Sequence, residues 1–164
     1  MNPIYRTGLI IGALVVAWTF VMGFTGWYRH PTLQALFWVV VVIQVVLLRL
    51  GLRPIAAQGR SYWGLVLDGT RMSIVASVLI FAGSMVFTTL VFPEYFSEVR
   101  KAYEEMLRAQ GKSADEVRQL VEAAASAQTP VAQASFGAIG TVVTGFLAST
   151  LLAFFARGAV AAKR

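Results

Sequence analysis

Few side chains in this sequence combine chemical reactivity with a place near an apolar segment. Asp68 and Arg71 lie three residues apart, so on a helix they share one face and can form an ion pair at the membrane interface. Gln44 is the one strongly polar residue inside the apolar stretch FWVVVVIQVVLLRL, where an amide favours a hydrogen bond to a hydroxyl or a backbone carbonyl. The alternatives are a proton or ion relay through Asp68 and a ligand or partner contact through Gln44.

The composition disfavours most catalytic chemistry. The chain of 164 residues has no cysteine, so a disulfide, a thiolate nucleophile and an iron–sulfur site are excluded. Its one histidine, His30, precedes Pro31 in a short turn, where capping or solvation is expected rather than pH sensing. No phosphate-binding glycine loop is present. We therefore expect no enzyme, with no catalytic residue, cofactor or metal.

The apolar segments that position these residues are long enough to cross a membrane. The chain is 57% apolar and 13% charged, whereas a soluble domain is ~25% charged. None of its long apolar stretches alternates with polar residues as a β-barrel strand would. The sequence predicts an all-α integral membrane protein, a single domain over residues 1–164, with four transmembrane helices. Their predicted bounds are about 8–27, 33–52, 70–92 and 134–156.

The polar segment 93–130 lies between the third and fourth spans and predicts a helical hairpin outside the membrane. Gly111 is a typical helix end, and Ser113 with Glu116 forms the pattern of a capping box that begins a second helix. The apolar face of the first hairpin helix consists of Phe96, Val99, Tyr103 and Met106.

The charges predict the orientation of the chain. Seven of the eight acidic residues lie in the hairpin segment. By the positive-inside rule the hairpin is periplasmic and both termini are cytoplasmic, in the inner membrane of a bacterium. The net charge of +6 then reflects topology, and no nucleic-acid partner is expected. The basic residues assigned to the cytoplasmic side are Arg6, Arg49, Arg53, Arg60, Arg71, Arg157, Lys163 and Arg164.

Small residues indicate where helices meet. The fourth span places small residues on one face at intervals of four, which favours close packing inside the bundle, with a dimer or partner contact as the alternative. The second span lacks such a face, so we expect it at the edge of the bundle, covered by lipid or by a larger partner. The residues of the fourth-span face are Gly137, Thr141, Gly145 and Ser149.

Three motifs carry a resemblance to a known family. They are YWGL at residues 62–65, PEYF at 93–96 and GKSADE at 111–116. With them the chain resembles the bacterial membrane family called domain of unknown function forty-one ninety-nine, mainly from Tyr62 to the C-terminus. The resemblance implies four spans and assigns no role to any residue.

The predicted function is that of a non-catalytic accessory or structural subunit of a larger inner-membrane assembly, for example a respiratory or photosynthetic complex. Its partners would be membrane lipids and other integral-membrane subunits. Two alternatives stay open: a small oligomeric transporter or channel, and a membrane sensor or lipid-binding module that acts through the hairpin.

Overall fold

The computed structural model describes residues 2–30, 32–125 and 128–161, with side chains as far as residue 155. Pro31, Lys163 and Arg164, which entered the turn and topology predictions, lie outside these ranges. Regular structure within the ranges is helical. The α-helices are α1 (Pro3–Phe24), α2 (Val39–Ala57), α3 (Tyr62–Val86), α4 (Tyr95–Ala109), α5 (Ala114–Ala125) and α6 (Pro130–Ala161). The remaining elements are the 3₁₀ helices Trp27–Arg29 and Leu33–Trp38 and the π-helix Phe87–Val91.

Four helical segments are long and apolar enough to cross a membrane, which confirms the predicted all-α fold with four candidate spans. The segments alternate in direction, so one end of the bundle carries the N-terminus and the α2–α3 loop. The other end, here called the hairpin end, carries the end of α1, the π-helix and the start of α6. The candidate spans are Pro3–Phe24, Leu33–Ala57, Tyr62–Val91 and Pro130–Phe155.

The first and third spans begin earlier than hydropathy predicts because polar residues cap them. The Asn2 side chain accepts the Ile4 amide hydrogen at 3.0 Å, and α1 starts there. The Ser61 hydroxyl accepts the Gly64 amide hydrogen at 3.2 Å, so α3 starts before Asp68. The average hydropathy of a segment detects neither a capping residue nor a charged residue that forms an ion pair within the fold.

Helices α3 and α6 approach each other closely along a row of small residues. A methyl group added to Gly69 would lie 2.0 Å from the Ser149 hydroxyl oxygen, and one added to Gly145 would lie 1.9 Å from the Ser73 hydroxyl oxygen. The contact advances by four residues on each helix in opposite directions, so the two helices are antiparallel. Such close backbone approach maximises van der Waals contact where water drives no association.

Helix α1 packs against the same central helix through its own glycines. A methyl group on Gly8 would lie 2.5 Å from the Met72 carbonyl oxygen, and one on Gly12 would lie 3.0 Å from the Ala76 carbonyl oxygen. Helix α3 is therefore enclosed between α1 and α6, and its buried side chains form the centre of the core.

Helix α2 lies over α1 and α6 and leaves a broad apolar face exposed. Val42, Val46 and Leu50 are half or more exposed on this face. The second span, for which no face of small residues is predicted, makes one close contact at Gly51, where an added methyl group would lie 2.7 Å from the Thr7 side chain of α1. Gly51 directly follows the valine-rich stretch and fixes the contact near the N-terminal end of the bundle.

Helices α4 and α5 pack on each other to form the predicted hairpin. Leu107 of α4 is buried with Val117 and Val121 of α5. The chain turns at Gly111, whose φ of 78° is readily adopted by glycine. Whether this hairpin lies outside a membrane stays a prediction.

The predicted capping box of α5 is confirmed. The Ser113 amide donates to the Glu116 carboxylate at 3.0 Å, and the Glu116 amide donates back to the Ser113 hydroxyl at 3.3 Å. The first of these bonds holds the pKa of the Glu116 carboxyl below its usual range.

The α3–α6 contact predicts different outcomes for two neighbouring glycines. Gly145→Ala should destabilise the protein by about 1–3 kcal/mol, because the added methyl group overlaps Ser73 and Gln44. Gly140→Ala is the matched control, since its added methyl group meets no atom within 4 Å. Unfolding in mixed detergent micelles measures both free energies, and equal values for the two variants would contradict the close contact.

Candidate functional site

Gln44 points into the bundle and links three helices. Its side-chain nitrogen donates to the Thr141 carbonyl oxygen of α6 at 2.7 Å and to the Ser73 hydroxyl of α3 at 3.2 Å. Ser73 in turn donates to the Gly69 carbonyl at 3.1 Å. Because Gln44 is only 4% exposed, the exposed face of α2 carries no part of this amide.

The small-residue face of the fourth span lies against α3. Gly145 and Ser149 form the close contacts described above, whereas a methyl group added to Gly137 would lie 3.6 Å from the Ile80 side chain, an ordinary van der Waals distance. The Thr141 hydroxyl donates to the Gly137 carbonyl within its own helix at 2.8 Å. The Ser149 hydroxyl is fully buried and makes no hydrogen bond within the described structure, and the space around it is filled. This face therefore holds the bundle together.

Asp68 is buried and held by two arginines. Arg71 approaches one carboxylate oxygen at 3.2 Å, as expected for residues one turn apart on a helix. Arg60, from the α2–α3 loop, donates to the other oxygen at 3.0 Å. Sequence spacing gave no sign of Arg60, because its long side chain reaches Asp68 from before the helix cap.

The polar residues named in the sequence analysis make separate contacts. Gln44 is engaged within the core, whereas Asp68 is paired near the N-terminal end of the bundle. His30 is exposed at the hairpin end, where its backbone carbonyl accepts the Leu33 and Gln34 amide hydrogens. Within the described residues, no cluster of three or more acidic or histidine side chains can hold a metal ion.

The apolar stripe predicted on the hairpin serves two surfaces. Tyr103 packs on the buried cluster of α4 and α5, and Met106 beside it is half-buried. Val99 instead lines a cavity at the hairpin end, and the Phe96 ring packs edge-on to Tyr95 with centroids 5.1 Å apart.

That cavity, called here the aromatic pocket, has a volume of about 380 Å³ and is half open to its surroundings. Segments from α1, the two 3₁₀ helices, the π-helix, α4 and α6 surround it. Such a size and such a mixture of aromatic and neutral polar groups are typical of small-molecule sites. Its aromatic side chains are Tyr28, Phe37, Trp38, Phe87 and Tyr95. Its remaining lining residues are Thr19, Met22, Gln34, Ala35, Ser84, Thr88, Val99 and Gln133.

The π-helix at the end of α3 forms one wall of the aromatic pocket. The Phe92 amide donates to the Phe87 carbonyl, five residues back, at 2.8 Å. The Thr88 hydroxyl donates to the Ser84 carbonyl at 2.9 Å and so satisfies an acceptor at the point where the helix widens. Single π-turns of this kind occur frequently at functional sites.

A second wall is fixed by hydrogen bonds from the first two spans. The Trp18 ring nitrogen donates to the Leu36 carbonyl at 3.0 Å. The Gln34 side-chain nitrogen donates to the Tyr28 carbonyl at 2.9 Å. These two bonds hold the 3₁₀ helix Leu33–Trp38 beside α1, so its residues face the pocket from a defined position.

Aromatic rings join the pocket to α4. Tyr95, the first residue of α4, lies 5.0 Å from the Tyr28 ring and 5.3 Å from the Phe87 ring, measured between centroids. The Phe92 ring lies 4.7 Å from the Phe87 ring, also measured between centroids. Edge-to-face and tilted pairs of this kind contribute about 0.5–1.5 kcal/mol each beyond their buried area.

An ion pair fastens the same contact at its rim. The Tyr28 hydroxyl donates to the Glu98 carboxylate, and Arg29 approaches that carboxylate at 2.9 and 3.0 Å. Burial, and then the hydrogen bond to Glu98, raise the pKa of the Tyr28 phenol; burial raises the pKa of Tyr95 as well. Both tyrosines of the pocket are therefore neutral at physiological pH.

The aromatic pocket was not found in the sequence. Tyr28 and Tyr95 lie just beyond the predicted ends of the first and third spans, and no sequence spacing connects them. Gln34, Thr88 and Gln133 belong to segments far apart in the chain, so no local spacing connects them.

Comparison with known protein families identifies the family of this chain. A family model described as "Protein of unknown function (DUF4199)" matches residues 6–158. The chain belongs to the DUF4199 family. The match includes the first two spans as well. The similarity of this DUF4199 protein to its family therefore extends beyond the region from Tyr62 onward, where the three sequence motifs lie. No curated protein and no solved structure matches the chain.

The tyrosine contact predicts a pH-dependent stability. Tyr28→Phe should destabilise the protein by about 1 kcal/mol at neutral pH, because it removes a hydrogen bond to a charged acceptor. A phenol whose pKa is raised by folding stabilises the fold below its unfolded pKa of about 10 and loses that contribution as the pH rises further. The difference between wild type and Tyr28→Phe should therefore shrink above about pH 10.

Thermal unfolding in detergent between pH 7 and 11 measures this effect. Tyr5→Phe is the control, because Tyr5 is 57% exposed. A Tyr28→Phe difference that grows with pH would contradict the assignment.

Proposed function

We propose that this DUF4199 protein is a membrane-embedded binding module that takes a lipid-soluble ligand into the aromatic pocket. The observation that carries the proposal is the pocket itself, a preformed cavity of about 380 Å³ with an aromatic lining. It lies at the level where the candidate spans end, and a ligand dissolved in the bilayer can reach it there.

The lip of the pocket supports entry from the membrane. Trp38 is 72% exposed and Phe37 is 43% exposed, and both belong to the second candidate span. Aromatic side chains favour the boundary between hydrocarbon and headgroups, where they contact the upper part of a lipid tail.

In this proposal the hairpin is the part of the protein that responds to ligand binding. Tyr95 and Val99 of α4 line the pocket, while the far end of α4 packs on α5. A ligand that contacts α4 therefore contacts the hairpin, which is not part of any candidate span. The proposal corresponds to the sensor or lipid-binding alternative of the sequence analysis, with the aromatic pocket as its proposed site.

A substitution that fills the pocket tests the proposal. Ala35→Phe places a ring in the cavity and should reduce retention of a photoreactive fatty acid by about tenfold, equivalent to 1.4 kcal/mol. Ala82→Phe is the matched control, because Ala82 is exposed on α3 and does not line the pocket. Crosslinking in membranes, followed by mass spectrometry of the purified protein, gives the retained amount. The same retention in both variants would contradict the pocket as the binding site.

Assembly with larger integral-membrane subunits is a second candidate, favoured by the apolar outer face of α2. Val42, Val46 and Leu50 lie on this face, while Gln44 of the same helix is turned inward. The purification in mild detergent that tests ligand retention also tests assembly. A partner subunit that co-purifies supports it, and a monodisperse chain alone counts against it.

We further propose that the hairpin faces the periplasm of a bacterial inner membrane and that both termini are cytoplasmic. The support is the placement of seven of eight acidic residues in and beside the hairpin. Because the chain has no cysteine, Gly111→Cys introduces a single thiol at the hairpin turn. A membrane-impermeant maleimide applied from outside should label it, and should leave Gln58→Cys, in the α2–α3 loop, unlabelled until the membrane is permeabilised.

A further inference from the structure

The lining of the aromatic pocket carries no formal charge. Its thirteen residues include no lysine, arginine, aspartate or glutamate. Its two ionisable groups are the phenols of Tyr28 and Tyr95, whose raised pKa keeps them neutral. A charged group bound here would lose its hydration without gaining a partner of opposite charge from the lining.

The nearest charges stand at the rim and neutralise each other. Arg29 binds Glu98 through two nitrogens, at 2.9 and 3.0 Å, so the pair presents no net charge to the pocket. The Arg29 guanidinium also lies over the Tyr28 ring, 5.4 Å from its centroid. A second cation at that ring would meet Arg29, and an anion would meet Glu98.

Neutral hydrogen-bonding groups are nevertheless present. Gln133 of α6 and Ser84 of α3 line the pocket, and within the described residues neither side chain makes a hydrogen bond. Gln34 uses its nitrogen on the Tyr28 carbonyl, which leaves its amide oxygen as an acceptor. The lining thus offers donors and acceptors for a polar group that is itself uncharged.

The remaining surface is aromatic and continues to the membrane. Phe37 and Trp38 form the exposed lip and Phe87 and Tyr95 the opposite wall. An apolar tail that leaves the cavity past the lip enters the hydrocarbon region beside α2. The neutral polar groups of the lining fit a polar head inside the cavity, and the aromatic lip fits an apolar tail that extends out of it.

We propose that the aromatic pocket binds an uncharged amphiphile, a lipid-soluble molecule with a neutral hydrogen-bonding head and an apolar tail, and rejects lipids with charged heads. The proposal rests on the proposed binding function and names its ligand class. A glycerolipid with a free hydroxyl and an isoprenoid quinone share this chemistry, so the experiment includes both.

The test compares three probes that share the same dioleoyl chains and carry a neutral, an anionic or a cationic head. The full chain in detergent micelles is titrated with dioleoylglycerol, with dioleoylphosphatidylglycerol and with a dioleoyl trimethylammonium lipid, and bound lipid is measured by native mass spectrometry. A fourth titration uses a short-chain isoprenoid quinone. At least one neutral probe should bind about tenfold more tightly than either charged probe. The neutral probe that binds more tightly, the glycerolipid or the quinone, indicates which of the two classes supplies the ligand.

Two variants locate the binding. Gln133→Leu should weaken the neutral probe by about fivefold, the size expected for one hydrogen bond. Ala35→Phe should weaken its binding by about tenfold, while Ala82→Phe should leave it unchanged. Each variant is first shown to unfold at the wild-type temperature.

The outcomes separate the two proposals. Tighter binding of the anionic or the cationic probe, weakened by Ala35→Phe, overturns the neutral-ligand inference and leaves the binding function standing. Binding of no probe, or binding that Ala35→Phe does not change, overturns both.

Discussion

Two reciprocal contacts, Gly69 with Ser149 and Ser73 with Gly145, bring the backbones of α3 and α6 into direct apposition. In lipid, helices gain nothing from expelling water, so dispersion forces between closely fitted surfaces must hold them together. The row of small residues makes that fit available. It admits only short side chains such as Ser73 and Ser149 between the helices, and Gln44 joins α2 to the pair by donating to the Thr141 carbonyl.

The geometry at the hairpin end follows from this central pair. With α1 packed on α3 through glycines, the last turn of α3 lies beside the end of α1. There Gly23 of α1 admits the rings of Phe87 and Phe92, to which an added methyl group would approach within 2.6 Å. The π-helix turns these rings toward α1, and Tyr95 of α4 then packs on Phe87. The aromatic pocket is the space that remains where large rings replace small residues at the end of a tightly packed bundle.

Periodicity and hydropathy are sufficient to predict the four candidate spans, the hairpin and the row of small residues, because each depends on neighbours three or four positions apart in the chain. Asp68 shows the limit. Its partner one turn away, Arg71, is apparent from spacing, whereas Arg60 reaches it from a loop and is not. The pocket is still harder to predict, because Gln34 and Gln133 line the same cavity only when the helices are packed. The π-helix has no sequence pattern as distinctive as a cap.

The exposed position of Trp38 at the lip determines the effective concentration of a ligand that enters the pocket there. In the proposed binding function a ligand would enter past this ring from the lipid phase, so its effective concentration would be its mole fraction in the bilayer and not its amount in water. A minor membrane component can saturate such a site with only modest intrinsic affinity, because partitioning has already concentrated it. Occupancy would then report the composition of the membrane and stay insensitive to dilution of the surrounding medium.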